Sequence, residues 1–292
     1  MPRPPVRLAS FDTHLECPVF NATFPYHVAM LRGQKLQSHH KQKVVAFRQF
    51  AEHVARTDGP DQLVVLFDSR DVMFTGCEEG ESPASTFAAL QRELGVGVLF
   101  GAEFGCHPMS GSEPSPCSKL PYLFPDRSNL TARAILEHVD VDFTCTPKGA
   151  RPGYRFLNAG LIAGKAGSLR DFYAAAINLF DIADDLRSDQ ALMTHAFLAL
   201  REAHRVEMDY GARFVLSLQR IRRSGMEQRA GGRVFSNLFG RASCFMHGNG
   251  NGKQWMGKLL PLGMKRVSKK TTAEACSPAA PGNRSRLVGV NK

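Results

Sequence analysis

The stretch of sequence from Leu63 to Asp71 reads LVVLFDSRD and decides the fold class. Its first five residues are all apolar, which is typical of a strand buried on both faces of a mostly parallel sheet. The run stops at Asp68, and an acid at the carboxyl end of such a strand lies where open α/β sheets bind their ligands. Asp71 follows three residues later, so the two carboxylates converge only if the chain turns directly after Phe67. The stretch predicts an α/β fold with a carboxylate pair at the edge of its sheet.

Strand-like and helix-like segments alternate along the chain. Short apolar runs predict strands, and apolar side chains spaced three and four residues apart predict helices. The predicted strands are residues 6–11, 63–67, 96–100 and 155–164, and the predicted helices are residues 44–54, 83–94, 168–179 and 188–200. We expect Ser168 and Ser188 to cap the last two helices, and residues 103–126 to form a long loop. The alternation predicts an α/β sandwich with a mostly parallel central sheet flanked by helices.

The composition narrows the classes of function. The chain has 292 residues, 43% of them hydrophobic and 22% charged, which is ordinary for a globular protein with a sizeable core. No apolar run reaches the roughly 18 residues of a membrane-spanning helix, and the first residues lack the apolar run of a signal peptide. Seven cysteines are scattered without Cys-x-x-Cys spacing, so they do not fix the redox compartment.

The net charge of +10 is concentrated in the last residues of the chain. Residues 257–292 contain eight basic side chains and one acid, which accounts for +7 of the total. A basic tail that also contains Pro, Ser and Gly is typical of a solvated, disordered extension. We therefore expect a globular region followed by this tail, and nucleic acid is not an expected partner.

Two interpretations of Asp68 and Asp71 follow from the residues alone. Carboxylates that converge at a turn can hold Mn²⁺ or Mg²⁺, which prefer oxygen ligands. Alternatively, Asp68 caps a turn and Asp71 forms an exposed ion pair. A phosphatase of the haloacid dehalogenase type would need a second acid two residues after the first, and Arg70 at that position counts against it.

Two further segments carry candidate residues. Residues 244–253 read CFMHGNGNGK, an apolar strand end followed by His247, a glycine-rich turn and Lys253. Glycines let backbone N–H groups approach phosphates, lysine supplies positive charge, and histidine can ligate Mn²⁺, although His247 could equally be an ordinary loop residue. Asp189 and Gln190 begin a predicted helix, where the helix dipole alone already favours an acid.

Taken in order, these segments resemble the glycosyltransferase domain of the procollagen lysyl hydroxylase family. The matching segments are residues 42–44 (QKV), 67–72 (FDSRDV), 99–103 (LFGAE), 106–108 (CHP), 155–160 (RFLNAG), 188–190 (SDQ) and 247–250 (HGNG). The resemblance covers about residues 40–255. It implies a GT-A-like fold over residues 1–256, a UDP-sugar donor and Mn²⁺.

The resemblance also implies roles for individual residues. The implied metal ligands are Asp68, Asp71 and His247. The residues expected to contact the nucleotide donor are Lys43, Asp68, Arg70, Gly248, Asn249, Gly250 and Lys253. The residues expected to act catalytically on the sugar side are Asn158, Asp189 and Gln190. The chain departs from the family at Arg70, where a tyrosine usually stacks on uracil, at His107, which replaces a tryptophan, and before Gln190, where the acidic run is short.

The implied function is a metal-dependent transfer of glucose or galactose from a UDP-sugar to a hydroxyl acceptor. In the family that acceptor is hydroxylysine or galactosyl-hydroxylysine of a collagen-like protein. The alternative is a nucleotide-sugar-binding module or a degenerate transferase that performs no transfer to an acceptor. The family works in the lumen of the endoplasmic reticulum, whereas this chain shows no signal peptide, so the compartment stays open.

Overall fold

The computed structural model describes residues 5–12, 23–32, 39–105, 127–140, 153–179, 189–229, 233–256 and 258–259. The strands in these ranges are β1 (Val6–Asp12), β2 (Val28–Arg32), β3 (Leu63–Asp68), β4 (Val72–Phe74), β5 (Val98–Glu103), β6 (Phe156–Lys165), β7 (Val206–Asp209), β8 (Val215–Ser217), β9 (Met226–Gln228), β10 (Val234–Ser236), β11 (Arg241–Ala242) and β12 (Phe245–His247). The helices are α1 (His39–Thr57), α2 (Pro83–Leu94), α3 (Ala132–His138), α4 (Ala166–Ile177), α5 (Asp189–His204) and α6 (Lys253–Met256).

A mostly parallel sheet forms the centre of the molecule. Its strand order is β2-β1-β3-β6-β5-β7 among the described residues, and β6 alone runs antiparallel to both of its neighbours. Helices flank this sheet, and two three-stranded sheets, β4-β12-β8 and β11-β10-β9, lie beside it. The predicted α/β class with a mostly parallel sheet is confirmed. None of the helices in the described ranges is long and apolar enough to cross a membrane.

Strand β3 is buried on both faces, as its uninterrupted apolar sequence predicts. Val64 and Leu66 belong to one hydrophobic cluster together with Phe47 of α1, whereas Val65 and Phe67 belong to a second cluster. The two clusters lie on opposite sides of the sheet because successive side chains of a strand alternate between its faces. This burial fixes the register of β3 and therefore the position of Asp68 at its end.

Helix α4 begins two residues earlier than expected. The expected cap was Ser168, but the helix starts at Ala166 and its cap residue, Lys165, makes no side-chain capping bond. The Ala166 and Gly167 N–H groups donate instead to backbone carbonyls of residues 60–62. Tertiary contacts thus satisfy the first N–H groups of this helix, which is why the local capping pattern failed. The expected cap at Ser188 and the basic tail, apart from residues 258 and 259, lie outside the described residues.

Strand β5 continues through Glu103, which the sequence placed in a loop. Phe104 and Gly105 follow as a bend, and residues 106–126 of the predicted loop lie outside the described residues. Strands β1, β3 and β5 run in the same direction and end in Asp12, Asp68 and Glu103, respectively. Three acids therefore meet at one edge of the sheet.

Candidate active site

Asp68, Asp71 and His247 form a cluster able to hold a metal ion. One ligand atom from each side chain lies within 4.8 Å of the other two. Asp71 and His247 are largely buried, with side chains 11% and 4% exposed, whereas Asp68 is 36% exposed and opens toward solvent. Two carboxylates and an imidazole suit Mn²⁺ or Mg²⁺, so the residues present fit the ion that the sequence predicted.

Strand pairing brings His247 to the two aspartates. Strand β12 pairs antiparallel with β4, with His247 opposite Val72, and parallel with β8, with His247 opposite Ser217. The Gly248 N–H donates to the Asp71 carbonyl at 2.7 Å and joins the two turns that carry the ligands. His247 is therefore held by backbone hydrogen bonds on both sides and does not depend on a flexible loop.

Asn158 fixes the orientation of the His247 ring. Its Oδ1 accepts from the Gly160 N–H at 3.0 Å, and its Nδ2 donates to Glu103 at 2.9 Å. Because Oδ1 is an acceptor, the His247 Nδ1–H donates to it over 2.7 Å. The Nε2 side of the ring then faces the Asp71 carboxylate, 3.4 Å away. This arrangement of a ligating histidine with an acceptor behind it is common in metal sites.

Gly160 makes room for the His247 ring. A Cβ at residue 160 would overlap that ring. The register of β6 against β5 also shifts here, since Phe100 pairs with Ile162 but Gly101 pairs with Asn158. Such bulges re-aim side chains beside active sites.

Opposite charges tune the metal cluster. Burial by itself raises the pKa of Asp71, but His247 and Lys253 outweigh it and lower that pKa to about 2. Burial lowers the pKa of His247, and the facing Asp71 carboxylate raises it overall. Burial and the neighbouring Asp189 and Asp71 carboxylates raise the pKa of Asp68 despite Lys43. The site concentrates negative charge, and a bound cation would relieve that repulsion.

Lys43 connects the metal cluster with Asp189. Its Nζ lies 2.6 Å from Asp68 Oδ1 and 2.5 Å from Asp189 Oδ2, and it donates to the Ala159 carbonyl at 3.3 Å. Burial lowers the pKa of Lys43, but the two aspartates raise it well above its usual value. The ammonium group therefore stays charged and holds Asp189, the first residue of α5, beside the site.

Glu103 is buried at the centre of three amide side chains. It accepts hydrogen bonds from Asn158 at 2.9 Å, from Gln190 at 2.6 Å and from Asn249. Burial raises the pKa of Glu103 to about 7 even though these bonds favour the charged form. The amides of three separate segments are thus tied to one carboxyl group, which places Gln190 and Asn249 on the same side of the metal cluster.

Arg70 forms an ion pair with Asp12, the last residue of strand β1. Its Nε and Nη2 donate to the two carboxylate oxygens of Asp12 at 2.8 and 3.2 Å. Ser69 donates to Asp12 as well, at 2.6 Å. The Asp12 side chain is 4% exposed, whereas Arg70 is 48% exposed. Arg70 is therefore held by Asp12 through Nε and Nη2, while about half of its side chain is exposed to solvent.

The turn after His247 is tied to the rest of the site. Asn249 Oδ1 accepts from the Gln219 N–H at 3.0 Å, and Gly250 has a left-handed backbone with φ +53° and packs against Gln219. Lys253 Nζ lies 2.9 Å from Asp71 Oδ2, with 61% of its side chain exposed. An exposed ammonium group at the rim of a metal cluster suits an anionic ligand.

A disulfide supports the strand that carries His247. Cys77 follows β4, Cys244 directly precedes β12, and the two are joined by a bond that closes a loop of 167 residues. The Thr75 N–H also donates to the Cys244 carbonyl at 2.9 Å. Covalent and hydrogen bonds together fasten β12 to β4.

The structure places all the site residues predicted from the sequence around the metal cluster. It adds three further residues to the site. Asp12, Glu103 and Gly160 received no role from the sequence. Asp12 and Glu103 share the signal that singled out Asp68, an acid at the carboxyl end of a buried strand, and that signal could have identified both. Gly160 offers no comparable signal, because its role depends on a ring 87 positions away in the sequence.

Comparisons with known proteins leave the family open. No family model matches the chain, and no curated protein does. Among solved structures the chain is similar to a glycosyltransferase involved in the glycosylation of the major capsid of PBCV-1. The two share 9% sequence identity over 87% of this chain and 98% of that chain, with a TM-score of 0.43. A similarity this low assigns no function to the chain.

Proposed function

We propose that the chain is a metal-dependent glycosyltransferase that takes a hexose from a UDP-sugar. The observation that carries the proposal is the convergence of Asp68, Asp71 and His247 within 4.8 Å at the ligand-binding edge of the sheet. A cation-binding cluster with lysines on two sides suits a diphosphate. The resemblance to the glycosyltransferase domain of procollagen lysyl hydroxylases supports the same donor.

The residues around the metal cluster have different roles in the proposed reaction. A divalent cation held by Asp68, Asp71 and His247 would neutralise the diphosphate of the departing nucleotide. Lys253 adds an exposed positive charge beside Asp71, and Lys43 keeps Asp189 in place. In the transfer, the acceptor oxygen bonds to the anomeric carbon, the bond from that carbon to the diphosphate breaks, and the proton of the acceptor hydroxyl passes to the departing diphosphate or to solvent.

The amide cluster around Glu103 forms the opposite wall. Asn158, Gln190 and Asn249 all donate to Glu103, which fixes the orientation of these three side chains. Asp189, 22% exposed at its side chain, adjoins this wall through the backbone of α5. We propose that Asp189 and Gln190 orient the sugar or acceptor hydroxyl, and that the acceptor is hydroxylysine or galactosyl-hydroxylysine, which the family resemblance supports.

Release of hexose from UDP-glucose and UDP-galactose tests the proposal. We expect turnover with Mn²⁺, its loss on chelation, and a fall of at least about 100-fold in Asp71→Asn, since ligand removal abolishes the cation site. Asp61→Asn is the matched control, because Asp61 is an 84% exposed partner of Lys165 outside the site. Turnover that is unaffected by chelator would contradict the proposal. UDP binding without any turnover would favour the binding-module alternative.

A further inference from the structure

A cavity of about 500 Å³ lies at the end of β7, away from the metal cluster. Strand β7 is the outermost strand of the central sheet, and β6 and β5 separate it from β3. Three strand spacings correspond to about 14 Å. Among the described residues that line this cavity, none belongs to the metal cluster or to the amide cluster around Glu103. Its volume is that of a site for a small organic molecule.

Two arginine–glutamate pairs stand in the wall of this cavity. Arg213 Nη1 lies 2.5 Å from Glu93 Oε2, and Arg127 Nη1 lies 3.0 Å from Glu207 Oε2. A third acid of the lining, Asp209, is 1% exposed and accepts three backbone N–H groups of the turn that follows β7. The acids of the cavity are therefore already engaged within the protein.

Arg241 is the third arginine of the cavity and differs from the other two. It lies on β11 and is partly buried. Among the described residues its guanidinium group makes no ion pair. Its Nη1 and the Cγ of Arg213 would both lie 3.8 Å from a Cβ placed on Gly211, so two arginine side chains approach one point of the wall. A bound anion would relieve this repulsion and give Arg241 a partner.

Apolar side chains form a second part of the lining. Leu90, Met208 and Leu238 are buried, whereas Leu94 is 40% exposed and Phe239 is only partly buried. The exposed area of Leu94 and Phe239 is available for contact with an apolar or ring-shaped ligand. Ligand pockets commonly combine such surfaces with a few charged groups that fix the orientation of the ligand.

We propose that this cavity binds a small organic acid whose carboxylate pairs with Arg241 and whose apolar or ring-shaped body lies against Leu94 and Phe239. A guanidinium group pairs with a carboxylate through a planar fork of two hydrogen bonds. One arginine without a partner matches the single charge of a carboxylate better than the roughly two charges of a phosphate monoester. The inference goes beyond the proposed function, since it requires neither a metal ion nor a nucleotide.

Three naphthalene probes separate charge from shape. 2-Naphthoate carries a carboxylate, 2-naphthamide is its neutral counterpart, and 2-naphthyl phosphate carries a larger charge. In calorimetric titration of the full chain we expect 2-naphthoate to bind at least about tenfold more tightly than the amide, as loss of a charged hydrogen bond implies. Equal affinities for acid and amide, or no binding of 2-naphthoate, would overturn the inference. Tighter binding of the phosphate would contradict the choice of a carboxylate.

The substitution Arg241→Gln tests whether the probe binds in this cavity. It removes the charge and should weaken 2-naphthoate at least about tenfold while changing 2-naphthamide less than about twofold. Arg229→Gln is the matched control, because Arg229 adjoins the same three-stranded sheet, pairs with Glu227 at 3.7 Å and lies outside the cavity lining. Thermal unfolding shows whether both variants keep the fold. An affinity for 2-naphthoate that Arg241→Gln leaves unchanged would refute the assignment.

Competition with UDP distinguishes this cavity from the proposed donor site. We expect 2-naphthoate to bind equally well with and without UDP and Mn²⁺, and Arg241→Gln to bind UDP as the wild-type protein does. Displacement of 2-naphthoate by UDP would place the probe in the donor site and overturn the inference. Protein that binds 2-naphthoate but not UDP would count against the proposed function alone.

Discussion

At the scale of single residues, Gly160 sets the position of the His247 ring. Alanine at this position adds a Cβ that overlaps the ring. We expect Gly160→Ala to destabilise the fold by about 1–3 kcal/mol, as overpacking in a close-packed site does. Displacement of His247, a proposed metal ligand, should also weaken Mn²⁺ binding at least about tenfold. Denaturant unfolding and a Mn²⁺ titration measure the two effects.

Gly211→Ala is the control for this substitution. The nearest atom to a Cβ at Gly211 is Cγ of Arg213, at 3.8 Å, which is ordinary van der Waals contact. This variant should keep both stability and Mn²⁺ affinity. Wild-type Mn²⁺ affinity in Gly160→Ala would show that the ring does not need this space.

Glu103 predicts a pH dependence of stability whose sign follows from its raised pKa. The unfolded carboxyl ionises near 4.5, whereas burial keeps the folded one protonated up to about 7. The unfolded state therefore releases its proton first as the pH rises. Relative to Glu103→Gln, the free energy of unfolding of the wild-type protein should be highest below pH 4.5. It should fall by about 3 kcal/mol as the pH rises from 4.5 through 7.

Denaturant unfolding of wild-type protein and Glu103→Gln between pH 4 and pH 8 measures this difference. The contribution of Asp71 lies below this range, because folding lowers its pKa from 3.8 to about 2 and its stabilisation is lost only as the pH falls through these values. A difference that stays constant between pH 4.5 and pH 7 would mean that Glu103 ionises normally in the folded protein.

At the scale of elements, β12 owes its position to β4 and β8 and to the Cys77–Cys244 disulfide. The disulfide closes a long loop and so restricts the unfolded chain. We expect the double substitution Cys77→Ser and Cys244→Ser to lower the free energy of unfolding by about 2–4 kcal/mol. Denaturant unfolding with and without a thiol reductant measures the loss.

The same reductant provides the control for the disulfide. It should lower the stability of the wild-type protein toward that of the double variant and leave the double variant unchanged. A wild-type protein whose unfolding is insensitive to a reductant that opens this bond would contradict the expected contribution.

The elements also show how far the sequence alone can lead. Strands β1, β3 and β5 were predictable, because uninterrupted burial requires apolar runs that a reader can see. Strands β8 to β11 are two or three residues long, too short for any period to appear, and their positions depend on pairing with distant segments. Strand β12 is equally short, and the sequence indicated it only as an apolar strand end before His247. The antiparallel direction of β6 and the capping of α4 by residues 60–62 are likewise tertiary effects.

The candidate site divides in the same way. Asp68 was predictable as an acid at the end of a buried strand. The residues alone, however, did not decide whether Asp68 and Asp71 hold a metal ion or only stabilise a turn and an exposed ion pair. Only the resemblance in order and spacing joined them to His247, whose approach depends on the register of β12 against β4. The anchoring of Arg70 by Asp12 had no local signal, since the two are 58 residues apart.

At the scale of the whole molecule, the site joins segments from most of the described chain. Lys43, Asp68, Asn158, Asp189 and His247 come from different elements that meet at one sheet edge. A ligand that binds them all stabilises the folded state as a unit, because the unfolded chain has no such site. Metal and nucleotide binding should therefore be coupled to each other and to folding.

Calorimetric titration of UDP into the full chain, with Mn²⁺ and with chelator, tests the central claim most directly. Wild-type protein and Asp61→Asn should bind UDP with Mn²⁺ and lose at least about tenfold in affinity with chelator. Asp71→Asn should show the weak affinity under both conditions, because it lacks a metal ligand. Equal UDP affinity with and without Mn²⁺, or a Mn²⁺ effect that survives in Asp71→Asn, would contradict the assignment of Asp68, Asp71 and His247 as a metal site that carries the nucleotide.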